Sequence, residues 1–95
     1  MNELEFQWDE KKRLANIKKH NIDFADVVGI FYDNETLIIE DPEHYDEQRY
    51  LALGIDTKCR VVLVVHVYKD IDVIRIISAR KADPKERIQF SGNNL

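Results

Sequence analysis

Leu4, Phe6 and Trp8 alternate with Glu3, Glu5 and Gln7, the period-two pattern of a short strand with one buried face. Asp9 then stands where an N-cap would open a helix running to about His20, with Leu14 and Ile17 turned inward and Asn21 as a left-handed C-cap. On that helix Lys12, Asn16 and Lys19 follow at i, i+4 and i+7, which predicts one exposed stripe with His20 at its lower end. A second helix is predicted from Asp23, with Ile22 and Val27 in staple positions and Phe24, Val27, Val28 and Phe31 as its apolar stripe.

The second half of the chain changes period. Three or four strand-like runs follow: Thr36 to Glu40, Gln48 to Gly54, Arg60 to Tyr68 and Val73 to Ala79. Val61 to Val65 is apolar at every position, as a central strand covered on both faces should be. Asp83, Pro84 and Glu86 combine an N-cap, a first-turn proline and an acid at N3, so a short last helix should run to about Phe90, with a frayed end after Ser91. The expected fold is therefore α+β: a small twisted antiparallel sheet, two N-terminal helices and a short C-terminal helix, in a single domain spanning residues 1–95. Gly-rich phosphate loops and long parallel crossovers are absent, which counts against a nucleotide-binding α/β fold.

Composition narrows the function. The start of the chain lacks the pattern of a signal peptide and the longest apolar run cannot span a bilayer, so a cytoplasmic protein without membrane contact is expected. Cys59 is the single cysteine, which excludes a disulfide framework or a cysteine zinc site within one chain. The net charge of −4 is unevenly spread. Seven acidic and no basic residues lie between Asp33 and Glu47, whereas Lys11 to Lys19 holds five basic residues and no acid. With a second basic group at Arg75, Arg80, Lys81, Lys85 and Arg87, this segregation points to a confined anion site on an acidic protein.

No metal signature joins His20, His44 and His66, and the loop containing Asp41, Glu43, His44, Asp46 and Glu47 reads better as a solvated acidic loop than as a cation site. No cofactor is expected. Cations and amphoteric groups remain, and they suffice for metal-independent phosphodiester chemistry. In RNA the ribose 2′-OH attacks its own phosphate once a base removes its proton, cations neutralise the developing charge, and an acid protonates the leaving oxygen. Arg75 interrupts Val73 to Ile77 where apolar side chains are expected, so it must be paired or face a cleft. Arg75 and Arg80 have opposite strand parity and meet on one face only if the chain bends or bulges near Ser78. Arg49 could add a third cation, or serve a cross-strand ion pair. His66 reads as a core histidine, and Trp8, Phe24 and Phe31 as core aromatics.

Trp8, Asp9, Lys12, Asn16, Lys19, His20, Ile22 and Phe24, with the closing group Arg75, Ser78, Arg80, Lys81, Glu86 and Arg87, resemble the two hallmark motifs of BrnT-type toxins. The resemblance extends from about Phe6 to Phe90. It implies a fold related to RelE-type ribonucleases, RNA cleavage that inhibits translation, and a BrnA-type antitoxin as partner, with DNA contacted only through that antitoxin. Carried over by position, Arg75, Arg80, His20 and Lys12 become the catalytic candidates, and Lys19, Asn16, Arg49, Lys81 and Arg87 the RNA-binding ones. Three positions depart from the family pattern: Asn21 replaces a Gly, the Tyr68 to Asp72 hairpin lacks an Arg–Gly pair, and Phe90 stands where a Tyr is common. A second reading keeps the fold but makes the chain a non-catalytic partner of a DNA-binding antitoxin, acting in operon repression. A DNA-binding module is disfavoured, because no helix-turn-helix pattern is present and the total charge is acidic.

Overall fold

The computed structural model describes residues 3–43 and 46–93, which leaves His44 and its proposed role in the acidic loop outside the described residues. The elements are β1 (Glu5–Gln7), α1 (Glu10–His20), a 3₁₀ helix (Phe24–Tyr32), β2 (Leu37–Glu40), β3 (Tyr50–Ile55), β4 (Val61–Asp70), β5 (Val73–Lys81) and α2 (Pro84–Asn93). The last helix thus runs past Ser91 to Asn93, into the segment expected to fray.

Asn21 closes α1 in the left-handed region, at φ 58°, and its N–H donates to Ile17 O at 2.8 Å. Asp9 has the extended backbone of an N-cap, but its side chain makes no capping hydrogen bond. The inward face of α1 differs from expectation. Leu14 is 54% exposed, and the buried residue is Asn16, because α1 lies against the margin of β5 rather than over the middle of the core.

The second predicted helix is a 3₁₀ helix. Phe24, Val27 and Ile30, three residues apart, are all fully buried, which is the side-chain spacing of a helix with three residues per turn. The Asp23 carboxylate accepts from Ala25 N at 3.1 Å, and Asp26 N donates to Asp23 O at 3.0 Å in the tight i→i+3 pattern. β-branched Val27, Val28 and Ile30 favour this segment little as an α-helix, so packing decides its form. At Gly54 an added Cβ would stand 2.8 Å from Thr36 Oγ1 and 3.1 Å from Ile30 Cβ, so only glycine lets the 3₁₀ helix settle this closely on β3.

The strands form one sheet in the order β1-β5-β4-β3-β2, with β4 central as expected. The sheet is mixed, since β1 pairs parallel with β5 while every other pairing is antiparallel. One face carries Ala52, Val62, Val64, Ile76 and Ala79 against Ile22, Phe24, Val27 and Ile30, with Phe6, Trp8, Val28 and Phe31 around them. On the opposite face Phe90 of α2 packs with Leu53, Leu63 and Ala82. α2 therefore covers only the β3–β4 side of that face.

A bulge in β5 decides what the uncovered part presents. Val65 pairs with Ser78 and His66 with Ile76, so Ile77 is an extra residue. Arg75 pairs with Val67 and Arg80 with Leu63; these two partners are four residues apart on β4 and share a face. The bulge thus puts Arg75 and Arg80 on one side of the sheet despite their odd spacing.

His66 is fully buried among Phe31, Tyr50 and Tyr68, its ring 4.8 Å from that of Phe31. Burial depresses its pKa from 6.5 to about 4, against a smaller opposing effect from Val64 O. The unfolded chain therefore binds a proton at higher pH than the folded one. Stability attributable to His66 is complete above pH 6.5 and declines as pH falls toward 4, by about 3 kcal/mol at most. Urea titrations at pH 7 and pH 4.5 should show a smaller acid-induced loss for His66→Phe than for wild type; equal losses would remove His66 as the cause.

Candidate functional site

The Arg75 side chain rises from the half-open face of the sheet, beside its parallel neighbour Gln7 and its antiparallel neighbour Val67. Among the described residues it has no hydrogen-bond or ion-pair partner, and none of its nitrogens is a buried atom left unsatisfied. A half-buried guanidinium of this kind keeps its donors toward solvent, available to an anion. Four residues along β4 separate its level from that of Arg80, about 13 Å of strand. Ser78 stands between them on the same face. Ser78 belongs to the closing motif, whereas Gln7 does not stand out in the sequence, and the signal that places it beside Arg75 is strand register rather than residue type.

Arg80 is held differently. Its Nη1 and Nη2 donate to Glu86 Oε1 and Oε2 at 2.9 and 3.0 Å, and Nη1 also reaches Lys81 O. Glu86 accepts from Asp83 N while Asp83 Oδ1 accepts from Glu86 N, both at 2.8 Å, completing the capping box expected at the start of α2. One carboxylate thus starts a helix and orients an arginine; its pKa lies below the ordinary value, chiefly through the Arg80 hydrogen bonds.

His20 lies close enough to Arg80 to feel its charge. Its pKa is lowered first by burial, then by the charges of Lys19 and Arg80. At neutral pH the ring is accordingly unprotonated and able to accept a proton.

The predicted exposed stripe of α1 needs correction at its centre. Asn16 is buried, and its amide is fully used on backbone: Nδ2 donates to Ile22 O at 2.9 Å and Ala79 O at 2.8 Å, while Oδ1 accepts from Ala79 N at 3.1 Å. β1 stops at the level of Arg75, so the outer edge of β5 beyond it is unpaired by strand. Asn16 supplies there the donor and acceptor that a neighbouring strand would have offered. It positions α1; both its N–H donors are engaged and the side chain is buried, so it does not present a donor to RNA. Lys12 and Lys19 remain exposed on either side of it along α1, bordering β5.

The other candidates are peripheral. Arg49 Nε lies 3.6 Å from Glu47, and Lys69 Nζ lies 3.7 Å from the same carboxylate; the Arg49 pair is local, two residues apart and ahead of β3, rather than the cross-strand pair expected. Lys81 is exposed at the end of β5. Arg87 donates to Ala82 O at 2.9 Å and braces the first turn of α2. Two further arginines serve the scaffold. Arg13 joins Glu10 and Asp23, and Arg60 joins buried Asp56 and donates to Asn21 O at the end of α1. Among the described residues no group of three or more His, Cys, Asp or Glu could hold a metal ion, and no helix is long and apolar enough to cross a membrane.

The family model for the ribonuclease toxin BrnT of type II toxin-antitoxin systems matches residues 8–86, from Trp8 just after β1 through Glu86 of the capping box. The chain belongs to the BrnT ribonuclease toxin family. The 1.1 Å crystal structure of the Brucella abortus ribonuclease toxin BrnT is similar to it, with 30% identity and a TM-score of 0.65 over 84% of this chain and 97% of that one. Among curated proteins no match is found. The matched region of this BrnT-family chain includes Lys12, Lys19, His20, Arg75 and Arg80.

Proposed function

We propose that this BrnT-family chain is a cytoplasmic, metal-independent endoribonuclease that inhibits translation by cutting RNA and is neutralised by a BrnA-type antitoxin. Kinship with RelE-type ribonucleases is part of the same reading. The observation that carries it is the unpaired Arg75 on the open sheet face, with Arg80, His20 and the α1 lysines around the same strand. Neutral His20 removes the 2′-OH proton, Arg75 and Arg80 neutralise the phosphorane charge, and a lysine of α1 protonates the leaving 5′ oxygen.

Purified, partner-free protein should cleave total RNA in excess EDTA. The rate should fall as pH drops through the pKa of His20, which lies below 6.5. His20→Gln should lose about 100-fold in rate together with that acid limb. An acid limb that persists in the variant would give proton abstraction to another group, and cleavage abolished by EDTA would end the metal-independent reading.

The Arg80–Glu86 pair favours the second reading, a non-catalytic partner in operon repression, because it already neutralises one of the two arginines. Absence of cleavage by folded protein, with and without ribosomes, would decide for it.

A further inference from the structure

The two margins of the sheet are treated differently. At the β5 margin, three residues of β1 and the Asn16 amide occupy the edge groups. At the other margin β2 pairs with β3 through four regular positions, and no described segment pairs with its outer edge. Leu37, Ile38 and Ile39 are consecutive apolar residues, with Ile38 43% and Ile39 57% exposed. Natural edge strands are usually blunted by charge, proline or a bulge, and this one has none of these before Glu40.

The apolar surface continues inward. Leu37 and Ile39 lead into a groove lined by Leu51, Leu53 and Leu63 and walled by Glu86 of α2. The surroundings are acidic: of the seven acids between Asp33 and Glu47, Glu35, Glu40 and Glu43 have no ion-pair partner among the described residues. Such a border repels a phosphate backbone. It also disfavours a second copy of this chain, which would bring two like-charged strips together.

We propose that the outer edge of β2 is a docking strand for an extended, basic segment of a partner polypeptide, which adds to the sheet and seats alternate apolar side chains in the groove. Taking that partner to be the antitoxin rests on the toxin–antitoxin reading; the strand addition itself does not. Because Glu86 both walls the groove and holds Arg80, the occupant lies against the group that sets the position of that arginine.

The probe is a fluorescein-labelled decapeptide of alternating Val and Lys, with a Val–Glu peptide as control. Binding by anisotropy, with backbone amide shifts centred on Leu37, Ile38 and Ile39, is expected for the Val–Lys peptide alone. Ile39→Lys, at an exposed position, should weaken binding at least tenfold, and Glu40→Lys should weaken it while leaving the strand intact. Undiminished binding to Ile39→Lys, no binding to wild type, or amide shifts elsewhere would overturn the proposal. So would a dimer of the free protein that Ile39→Lys dissociates, since the edge would then belong to a second copy. The ribonuclease reading fails separately: Arg75→Ala should retain peptide binding, and wild type that binds peptide without cleaving RNA would sink only the catalytic assignment.

Discussion

Replacement of Arg75 by Ala is expected to reduce RNA cleavage by about 100- to 1,000-fold, the usual loss when a preorganised donor to a developing oxyanion is removed. The fold should survive. Arg75 has no hydrogen-bond or ion-pair partner among the described residues, so the substitution leaves no buried group unsatisfied. Its place on the strand is fixed by pairing with Gln7 and Val67, which depends on backbone rather than on the guanidinium. Single-turnover rates on RNA, together with urea midpoints, separate the two effects. Wild-type cleavage by a stable variant would remove Arg75 from the site. Arg75→Lys should recover only part of the rate, because an ammonium keeps the charge but lacks the planar fork that clasps two phosphate oxygens.

Asn16→Leu should carry the largest cost in stability, about 3 kcal/mol, and lower the melting temperature by roughly 12–24 °C. Leu is similar in size to Asn but can neither accept from Ala79 N nor donate to Ala79 O and Ile22 O, so three buried backbone groups lose their partner. α1 is tied to β5 at this point, and Lys12, Lys19 and His20 are carried by α1; cleavage should fall together with stability. An unchanged urea midpoint would show that water or a neighbouring group satisfies the edge of β5 equally well.

The features legible in the sequence were those with local causes. Asp83 and Glu86 form the capping box their spacing predicts, Asn21 takes the left-handed conformation expected of it, and Val61 to Val65 lies in the central strand. Non-local pairing was not legible. The alternation around Phe6 predicts a strand but carries nothing about its neighbour, and its parallel pairing with β5 joins residues some seventy positions apart. The stripe Phe24, Val27, Val28 and Phe31 suits an α-helix; Ile30, buried below Gly54, is what reveals the tighter period.

The candidate site divides in the same way. Residue type marked Arg75 as anomalous within an apolar run, and its unpaired state agrees with the cleft reading. Residue type also marked Asn16, but as a polar member of a basic stripe. Its real surroundings, an unpaired strand edge, exist only after β1 has stopped short. For Arg80, Glu86 was recognisable as a helix-capping acid, and only the structure shows that both its oxygens also reach the arginine.

The bulge at Ile77 makes residue count a functional parameter. Deleting Ile77 would restore regular pleating and leave Arg75 and Arg80 four residues apart, still on one face, with Ser78 opposite Val65 and Ala79 still opposite Val64. Flattening the bulge with Ile77 retained does the opposite: every later residue slips by one, Arg80 turns to the helix-covered side and Ala79 leaves the Asn16 amide. Relatives that use both arginines on one face should therefore combine odd spacing with a bulge or even spacing without one. Between Arg75 and Arg80, one residue fewer is accommodated by losing the bulge, whereas one residue more puts Arg80 on the other face unless the bulge is lost or doubled.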